Sequence, residues 1–258
     1  MGLNDRIREF SKMPEHEVIK RMINIENCMR HNLGSVRKRL IAIEGTIGTG
    51  KSTIADMLEA RVGIKAFLED VDNNETWGAI IEQFYKDRIK FGFSTQIALL
   101  HARRGQATNA FYYPRSSSID RTYWGDRFVF VPTLIDGGLP KDDVKKLDEE
   151  YEKFRSEFPR IDLLLILKAN PQTAYDRLIL RDRAMEAATD LAKEKIGKDH
   201  YLVKIAKRYD ALPEVLNEKG LYSGPVITID EDNFKLTDGR HMTALLEQMA
   251  YDFRIKRP

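Results

Sequence analysis

Short apolar runs alternate with longer amphipathic stretches from residue 40 to the end of the chain. Strands are predicted at 40–44, 65–69, 117–120, 161–167 and 226–229. Helices are predicted at 51–61, 75–90, 95–110, 141–157, 171–187, 199–219 and 240–253. This alternation is typical of an α/β fold in which a five-stranded parallel sheet is flanked by helices. The third run begins within the three serines at residues 116–118 and is polar for a central strand.

The first 39 residues precede this alternation and are more polar. Their apolar side chains recur at roughly helical intervals, at Ile7, Phe10, Val18, Met22, Ile25 and Met29. Because proline lacks the backbone donor that a helix interior needs, Pro14 predicts a break between two helical pieces. We therefore expect a helical amino-terminal extension over residues 1–39 and one large α/β domain over residues 40–258.

A glycine-rich turn, GTIGTGKST, follows the first predicted strand at residues 45–53. It matches the phosphate-binding pattern G-x-x-x-x-G-K-[ST] through Gly45, Gly50, Lys51 and Ser52, with a further glycine, Gly48, inside the turn and Thr53 after it. Backbone N–H groups of such a turn converge on phosphate oxygens at the positive end of the next helix. We predict that Lys51 bridges the β- and γ-phosphates of ATP and that the Ser52 hydroxyl ligates Mg²⁺.

Three of the predicted strands end in acidic groups, which are Glu69, Asp120 and residues 230–232. Ligands of open parallel sheets bind beyond the carboxyl ends of the strands, so Glu69 and Asp120 are expected beside the γ-phosphate. Phosphoryl transfer needs a carboxylate that accepts the proton of the attacking hydroxyl, and Glu69 is the candidate base. Arg121 comes directly after Asp120 and is expected to enter the same site.

Three arginines, Arg177, Arg181 and Arg183, follow the most apolar strand and a helix that begins with proline. Arg177 and Arg181 are four residues apart and share one helical face. By themselves they would more often form a solvated helix face. Arginine suits phosphate because its guanidinium presents forked donors, so downstream of a phosphate-binding loop they predict a lid over a nucleotide.

Charge and composition exclude several classes of protein. The 42 basic and 40 acidic residues give a formal net charge of +2, which is too small to indicate a nucleic-acid-binding protein. A single cysteine, Cys28, excludes an internal disulfide framework and favours a reducing compartment. Apolar runs are too short for a membrane span and the amino terminus shows no targeting pattern. We therefore expect a cytoplasmic protein that binds neither membranes nor nucleic acid.

These motifs, in this order, resemble those of the deoxyribonucleoside kinases of the P-loop superfamily over about residues 40–235. The similar segments are the loop at 45–53, LEDV at 68–71, Tyr85 with TQIALLHAR at 95–103, DRTYWGDR at 120–127, RLILRDR at 177–183 with Glu186, and DEDNF at 230–234. The resemblance implies a three-layer P-loop kinase fold with an arginine-bearing lid, and a homodimer.

The resemblance also implies roles in transferring phosphate from ATP to a nucleoside 5′-hydroxyl. Glu69 would accept the proton of that hydroxyl. Asp120 would support Mg²⁺ through water, and Arg121 would stabilise the transferring phosphoryl group. Tyr85 and Glu186 would hold the sugar 3′-hydroxyl, with Tyr85 leaving little space for a ribose 2′-hydroxyl.

The resemblance also implies how the base of the nucleoside and the adenine of the donor nucleotide are recognised. Gln96 presents one acceptor and two donors, so its amide can pair with adenine or cytosine. Arg103 and Asp126 occupy positions at which the family's amino-base enzymes keep a charged pair. A deoxyadenosine, deoxyguanosine or deoxycytidine substrate is therefore expected, and the Asp-Arg-Thr form of the DRTYWGDR segment favours a purine. Asp232 and Phe234 lie in the segment that surrounds the adenine of the donor.

Three other functions fit part of the pattern. A nucleoside monophosphate kinase, such as a thymidylate kinase, needs a cationic clamp for the acceptor's phosphate where this chain has Glu69. A nucleotide-binding protein without turnover usually lacks the lysine, the base or the lid, whereas this chain keeps Lys51, Glu69 and Arg121. A nucleic-acid 5′-kinase is disfavoured by the near-neutral charge.

Overall fold

The computed structural model describes residues 1–36, 38–69, 75–180, 196–197 and 200–255. The strands are Leu40–Gly45 (β1), Lys65–Phe67 (β2), Ser117–Asp120 (β3), Leu163–Lys168 (β4) and Val226–Asp230 (β5). They form one sheet in the order β2-β3-β1-β4-β5, and every neighbouring pair is parallel. The predicted α/β fold with a five-stranded parallel sheet is confirmed.

Helices cover both faces of the sheet. They are Leu3–Ser11 (α1), Glu15–His31 (α2), Lys51–Val62 (α3), Glu75–Lys86 (α4), Arg88–Tyr112 (α5), Tyr123–Gly125 (α6), Val131–Asp136 (α7), Lys141–Arg155 (α8), Pro171–Leu180 (α9), Tyr201–Glu218 (α10) and Gly239–Asp252 (α11), with π-helical turns at Asn32–Val36 and Asp126–Phe130. None of the helices in the described ranges is long and apolar enough to cross a lipid bilayer.

Alternate residues of the central strands enter two separate apolar cores. Leu164 and Ile166 of β4 face the core that includes α5, α8 and α10. Leu163 and Leu165 face the core that includes α2, α3 and α11. Successive side chains of a strand point to opposite faces, so this division produces three layers.

β1 lies in the middle of the sheet and is buried along its whole length. Its Ile43 lies opposite Asp120 of β3 and Leu165 of β4. Because all strands run in one direction, their carboxyl ends meet at one edge, where the glycine-rich loop emerges. Gly45 permits this crowding, because a Cβ at its position would lie 2.4 Å from the carbonyl oxygen of Leu167.

The polar third strand is fully buried. The Ser117 hydroxyl donates to the carbonyl of Ala110 at 2.9 Å, and the Ser116 hydroxyl donates to the carbonyl of Leu33 at 2.8 Å. Buried hydroxyl groups are tolerated when they find such acceptors. These hydrogen bonds tie β3 to α5 and to the amino-terminal segment.

Two helix predictions differ from the structure. The break predicted between the helices at 75–90 and 95–110 lies inside α5. α4 and α5 are instead separated at Asp87 alone, because its carboxylate caps α5 by accepting from the Lys90 N–H at 3.0 Å. The short helices α6 and α7 were not predicted, because their aromatic and apolar residues show no clear helical period. The predicted helix at 171–187 is seen as α9, and residues 181–187 lie outside the described part.

The amino-terminal helices pack on the carboxyl-terminal helix α11. α2 starts directly after Pro14, as its sequence predicted. Buried Arg6 of α1 donates to Glu247 at 3.2 Å and to Gln248 at 3.0 Å. Arg21 of α2 also donates to Glu247, at 3.0 Å. The extension thus shares a core with the sheet, and its division from residues 40–258 as a separate unit stays a prediction.

Candidate active site

The loop between β1 and α3 has the backbone that its glycines predict. Gly48 and Gly50 have φ values of 81° and 74°, which residues with a Cβ rarely adopt. A Cβ at Gly48 would also lie 2.6 Å from the carbonyl oxygen of Ala174 in α9. The Thr49 hydroxyl donates to the carbonyl of Thr46 at 2.7 Å and fixes the turn. Gly50 is the N-cap residue of α3, so the positive end of that helix lies in the loop.

Lys51 is buried at the start of α3. Its Nζ donates to the carbonyl of Thr46 at 3.0 Å. Burial, followed by the positive charge of Arg121, lowers the pKa of Lys51 to about 7, although the carboxylates of Asp120 and Glu69 act in the other direction. Added negative charge beside Lys51 would favour its charged form, so the side chain suits an anion in this loop.

Ser52 and Asp120 meet at the carboxyl edge of the sheet. The Ser52 hydroxyl donates to Asp120 Oδ2 at 3.2 Å. The other carboxylate oxygen of Asp120, Oδ1, is buried and has no hydrogen-bond partner within the described residues. The Ser52 hydroxyl and the Asp120 carboxylate together offer oxygen ligands of the kind that Mg²⁺ prefers. Mg²⁺ usually takes few protein ligands and completes its coordination with water and phosphate oxygens.

Glu69 lies two residues beyond the end of β2, at the same edge. Its Oε1 accepts from Arg103 Nη2 at 2.9 Å, and its Oε2 lies 3.9 Å from Arg121 Nε. Burial acts to raise the pKa of Glu69, but the two guanidinium groups outweigh it and hold that pKa below its ordinary value. Glu69 is therefore an ionised carboxylate at neutral pH, with a fixed orientation.

Arg103 joins Glu69 to Asp126. Arg103 comes from α5 and is only 2% exposed, and its Nε lies 3.4 Å from Asp126 Oδ2. Burial raises the pKa of Asp126 to about 6, because the charge of Arg103 offsets only part of the cost of desolvation. The predicted charged pair of Arg103 and Asp126 is thus present in the site.

Arg121 follows β3 with a backbone φ of 71°, which non-glycine residues rarely adopt. Its N–H donates to the carbonyl of Ile43 at 2.9 Å. Its Nη1 donates to the carbonyl of Gly45 at 3.1 Å and to the hydroxyl oxygen of Tyr209 at 2.7 Å. The guanidinium also lies 5.0 Å from the centre of the Phe130 ring. These contacts aim Arg121 at the phosphate-binding loop.

A cavity beside the loop brings together six of the predicted acceptor residues. Its lining includes Glu69, Tyr85, Gln96, Arg103, Arg121 and Asp126, together with Ile47, Ile81, Phe84, Thr95, Leu99, Phe130 and Tyr201. Gln96 is 1% exposed, and its Oε1 accepts from the Tyr151 hydroxyl at 3.2 Å. That hydrogen bond determines which way the Gln96 amide faces.

A second cavity, of about 620 Å³, lies on the other side of the loop. Among its lining residues are Gly48, Gly50, Thr53, Arg177, Asp232 and Phe234, all of which were predicted to bind the donor nucleotide. Arg177 Nη1 lies 3.5 Å from Glu231 Oε2, and Asp232 Oδ2 accepts from the Asn170 N–H at 2.7 Å. Burial raises the pKa of Glu231 to about 7, in spite of the neighbouring charge of Arg177.

The two cavities and the loop between them are the arrangement expected of a kinase with a small neutral acceptor. A sequence model described as deoxynucleoside kinase matches residues 41–252. The chain belongs to the deoxynucleoside kinase family. It is therefore a phosphotransferase that acts on the alcohol group of deoxynucleosides, as the sequence predicted.

Relatives support the same assignment. A deoxyadenosine kinase from Dictyostelium discoideum is 32% identical over 195 residues, covering 75% of this chain and 73% of the relative. The deoxyadenosine/deoxycytidine kinase of Bacillus subtilis is 31% identical over 156 residues, covering 59% of this chain and 70% of the relative. The solved structure of deoxyadenosine kinase from M. mycoides with bound dATP has a TM-score of 0.63 and 26% identity, covering 82% of this chain and 99% of that chain.

Some parts of this kinase site fall outside the sequence predictions or outside the described residues. Arg181, Arg183 and Glu186 were predicted to form the lid and the sugar site, and they lie outside the described part. Glu44 and Tyr209 lie next to Arg121 and were not predicted. The sequence carried a signal for Glu44, since it is an acidic residue at the end of an otherwise apolar central strand.

A larger cavity lies elsewhere in the described part of the kinase. It measures about 940 Å³ and is lined by Arg39, Trp124, Asp162 and Tyr222, among others, at the opposite edge of the sheet. It contains none of the predicted site residues, and Arg39 is already paired with Asp162 at 2.9 Å. The smaller cavities beside the phosphate-binding loop carry the groups that phosphoryl transfer requires.

Proposed function

We propose that the protein transfers the γ-phosphoryl group of ATP to the 5′-hydroxyl of a deoxyribonucleoside whose base carries an amino group, with purines favoured over deoxycytidine. One observation carries this proposal: the acceptor cavity has Glu69 and Arg121 at its loop end and Gln96, Arg103 and Asp126 among its buried polar groups. A neutral nucleoside can therefore meet a base-recognition group and the reacting groups in one cavity.

In the proposed reaction, Glu69 accepts the proton of the 5′-hydroxyl. The 5′-oxygen forms a bond to the γ-phosphorus, and the bond from that phosphorus to the oxygen of the β-phosphate breaks. The hydrogen bond to Arg103 fixes the orientation of Glu69, and the charges of Arg103 and Arg121 keep it in the ionised form that can accept a proton. Such a base contributes about 10²- to 10⁴-fold to the rate.

Arg121 and Lys51 are proposed to stabilise the charge on the transferring phosphoryl oxygens. Both are buried and converge on the carbonyl oxygens of the loop, at Gly45 and Thr46. Ser52 and Asp120 are proposed to hold Mg²⁺, Ser52 directly and Asp120 through water. Asp120 has a buried oxygen that finds no hydrogen-bond partner among the described residues, which fits this role. The ion would neutralise charge on the β- and γ-phosphates.

We propose that Tyr85 and Glu186 bind the sugar 3′-hydroxyl, and that the ring of Tyr85 excludes a ribose 2′-hydroxyl. Tyr85 is 7% exposed and packs edge-on against Phe84, with ring centres 5.4 Å apart, so its ring has little freedom to retreat. The cavity measures only about 100 Å³, whereas small-molecule sites occupy about 300–1,000 Å³. Nucleoside entry is therefore proposed to widen this cavity.

The proposed base contacts are those of Gln96, Arg103 and Asp126. The Tyr151 hydroxyl donates to Gln96 Oε1, and the amide nitrogen of Gln96 is proposed to donate to an acceptor on the base. Asp126 and Arg103 add a carboxylate and a guanidinium for the amino group and ring nitrogens. Relatives named for deoxyadenosine support the purine preference.

The donor adenine is proposed to lie in the second cavity, near Asp232 and Phe234. Arg177 lines that cavity and, with Arg181 and Arg183, is proposed to close over the donor phosphates. Gly48, Gly50 and Thr53 contribute the phosphate-binding side of the same cavity. A homodimer and a cytoplasmic location complete the proposal, and both are supported by the resemblance to the family.

A panel of the four deoxynucleosides and their ribose counterparts, assayed with ATP and Mg²⁺, tests this function. We expect deoxyadenosine and deoxyguanosine to be phosphorylated with the highest kcat/KM, deoxycytidine less well, and thymidine and ribonucleosides poorly. A clear preference for thymidine would contradict the roles of Arg103 and Asp126. Equal use of adenosine and deoxyadenosine would contradict the role of Tyr85.

A further inference from the structure

A buried carboxylate lies directly beneath Arg121 at the end of β1. Glu44 is 0% exposed, and its two oxygens have different partners. Oε1 accepts from the Thr122 N–H at 2.7 Å and from the Thr122 hydroxyl at 2.6 Å. Oε2 accepts from the Tyr209 hydroxyl at 3.1 Å. Glu44 thus connects the residue after Arg121 to a side chain of α10.

Tyr209 completes the connection. Its hydroxyl donates to Glu44 and accepts from Arg121 Nη1 at 2.7 Å, so the three groups form one chain of hydrogen bonds. Tyr209 is 1% exposed, and no water is needed to complete the chain. A tyrosine hydroxyl that donates to a carboxylate becomes a better acceptor for a guanidinium, because the two hydrogen bonds polarise each other.

The surrounding backbone is adapted to this chain of hydrogen bonds. Arg121 has the left-handed φ of 71°, and Thr122 anchors the next residue to Glu44. A Cβ at Gly125 would lie 2.6 Å from Glu44 Oε2 and 2.9 Å from the Tyr209 hydroxyl. Only glycine leaves room for the carboxylate and the tyrosine at this point.

We propose that Glu44 and Tyr209 are positioning residues, which hold Arg121 in the orientation that stabilises the transferring phosphoryl group. Glu44 fixes the main chain after Arg121 through Thr122, and Tyr209 fixes the guanidinium through Nη1. This inference rests on the proposed role of Arg121. Neither Glu44 nor Tyr209 lines the acceptor cavity or the donor cavity, so both are placed to act on catalysis through Arg121.

The first test is Tyr209→Phe, with Tyr222→Phe as its matched control. Tyr222 also donates one hydroxyl hydrogen bond, to the carbonyl of Pro225 at 2.6 Å, at the opposite edge of the sheet. We expect Tyr209→Phe to lower kcat by about 10- to 100-fold, the effect of one lost hydrogen bond to a charged group, with the KM values of both substrates nearly unchanged. Tyr222→Phe should keep the wild-type kcat.

Glu44→Gln provides a second route if Tyr209→Phe folds poorly, because glutamine has the same size and can still accept from the Thr122 N–H. It should also lower kcat while nucleotide binding persists. A wild-type kcat in either variant, or a loss that falls on KM alone, would overturn the proposal.

A double-mutant cycle with Arg121→Lys separates this inference from the proposed function. If Tyr209 acts through Arg121, adding Tyr209→Phe to Arg121→Lys should lower kcat by less than about threefold. If the losses in kcat of the two single variants multiplied in full in the double variant, the positioning role would be overturned and the catalytic role of Arg121 would remain intact. A wild-type rate for Arg121→Lys alone would instead refute the proposed role of Arg121, and the positioning role with it.

Discussion

The acceptor and donor sides of the site hold their charged groups in different ways. On the acceptor side, the side chain of Arg103 is 2% exposed and lies between the carboxylates of Glu69 and Asp126. On the donor side, the side chain of Arg177 is 37% exposed, and its ion pair among the described residues is a long one, to Glu231 at 3.5 Å. Charge on the acceptor side is paired and buried, whereas charge on the donor side faces an open cavity of about 620 Å³.

This difference has an energetic consequence. Buried charges are expensive to leave unpaired, so acceptor-side residues depend on each other for their positions. On the donor side, much of the geometry comes from the backbone of the glycine-rich loop, whose Gly48 and Gly50 have positive φ values. We expect acceptor-side substitutions to affect both stability and turnover, and donor-side substitutions to affect mainly the KM for ATP.

Arg103→Met should give the largest loss of stability. It leaves Glu69 and Asp126 without their shared cation, and removing one partner of a buried ion pair costs about 3–5 kcal/mol. Arg104→Met is the matched control, because Arg104 is the next residue of α5 and pairs with Glu157 at the surface. Its cost should be about 0–1 kcal/mol. Urea unfolding of both variants measures the difference, and equal costs would contradict a buried acceptor network.

Asp126→Asn should change the pH dependence of stability. Since burial raises the pKa of Asp126 to about 6, the folded protein keeps this proton where the unfolded chain has lost it. The wild type therefore loses stability as the pH rises from about 4 to 6, by about 1–3 kcal/mol from this group. The variant lacks that loss, so its stability relative to the wild type should rise over this range in thermal unfolding. A difference that stays constant with pH would argue against the raised pKa.

Gly125→Ala tests the space around Glu44. The added methyl group would overlap the Glu44 carboxylate and the Tyr209 hydroxyl, so we expect a loss of about 1–3 kcal/mol in stability together with a lower kcat. Gly105→Ala is the control, because Gly105 lies in α5 with nothing within 4 Å of its added Cβ. That change should stabilise the protein by about 0.5–1 kcal/mol. If Gly125→Ala behaved in the same way, the close packing at Gly125 would be wrong.

Glu231→Gln should give the smallest effect. Its carboxylate lies near the glycine-rich loop, 3.6 Å from where a Cβ of Gly50 would be, and its pKa is raised to about 7. At pH 8 the ionised wild-type side chain repels the donor phosphates, so the variant should have a KM for ATP that is about two- to fivefold lower. At pH 6 the two proteins should match. A higher KM for the variant at pH 8 would show that Glu231 helps the donor to bind.

Residues on local motifs could be predicted from the sequence, and residues held by distant partners could not. The glycine-rich loop, Glu69 and Asp120 were found because a parallel sheet brings the ends of its strands to one edge. The contact between Glu44 and Tyr209 could not be predicted, because it spans 165 residues of chain. The fixed amide of Gln96 depends on Tyr151, which lies 55 residues away.

The fold also combines features that local patterns predict with features that depend on distant contacts. Apolar runs and their spacing indicated five parallel strands, and the burial of the polar β3 depended on contacts with Ala110 and Leu33 that no local pattern shows. The order of the strands was likewise not predicted, because it is a property of the assembled sheet. Roles assigned to Arg181, Arg183 and Glu186 stay predictions.

The most direct test of the account is the rate of a single phosphoryl transfer in Glu69→Gln, measured by rapid quench at saturating ATP, Mg²⁺ and deoxyadenosine. Glu82→Gln is the control, at an exposed glutamate of α4 that pairs with Lys86. The account predicts that Glu69→Gln slows transfer by about 10²- to 10⁴-fold while ATP still binds, and that the control is unaffected. An unchanged transfer rate in Glu69→Gln would contradict it.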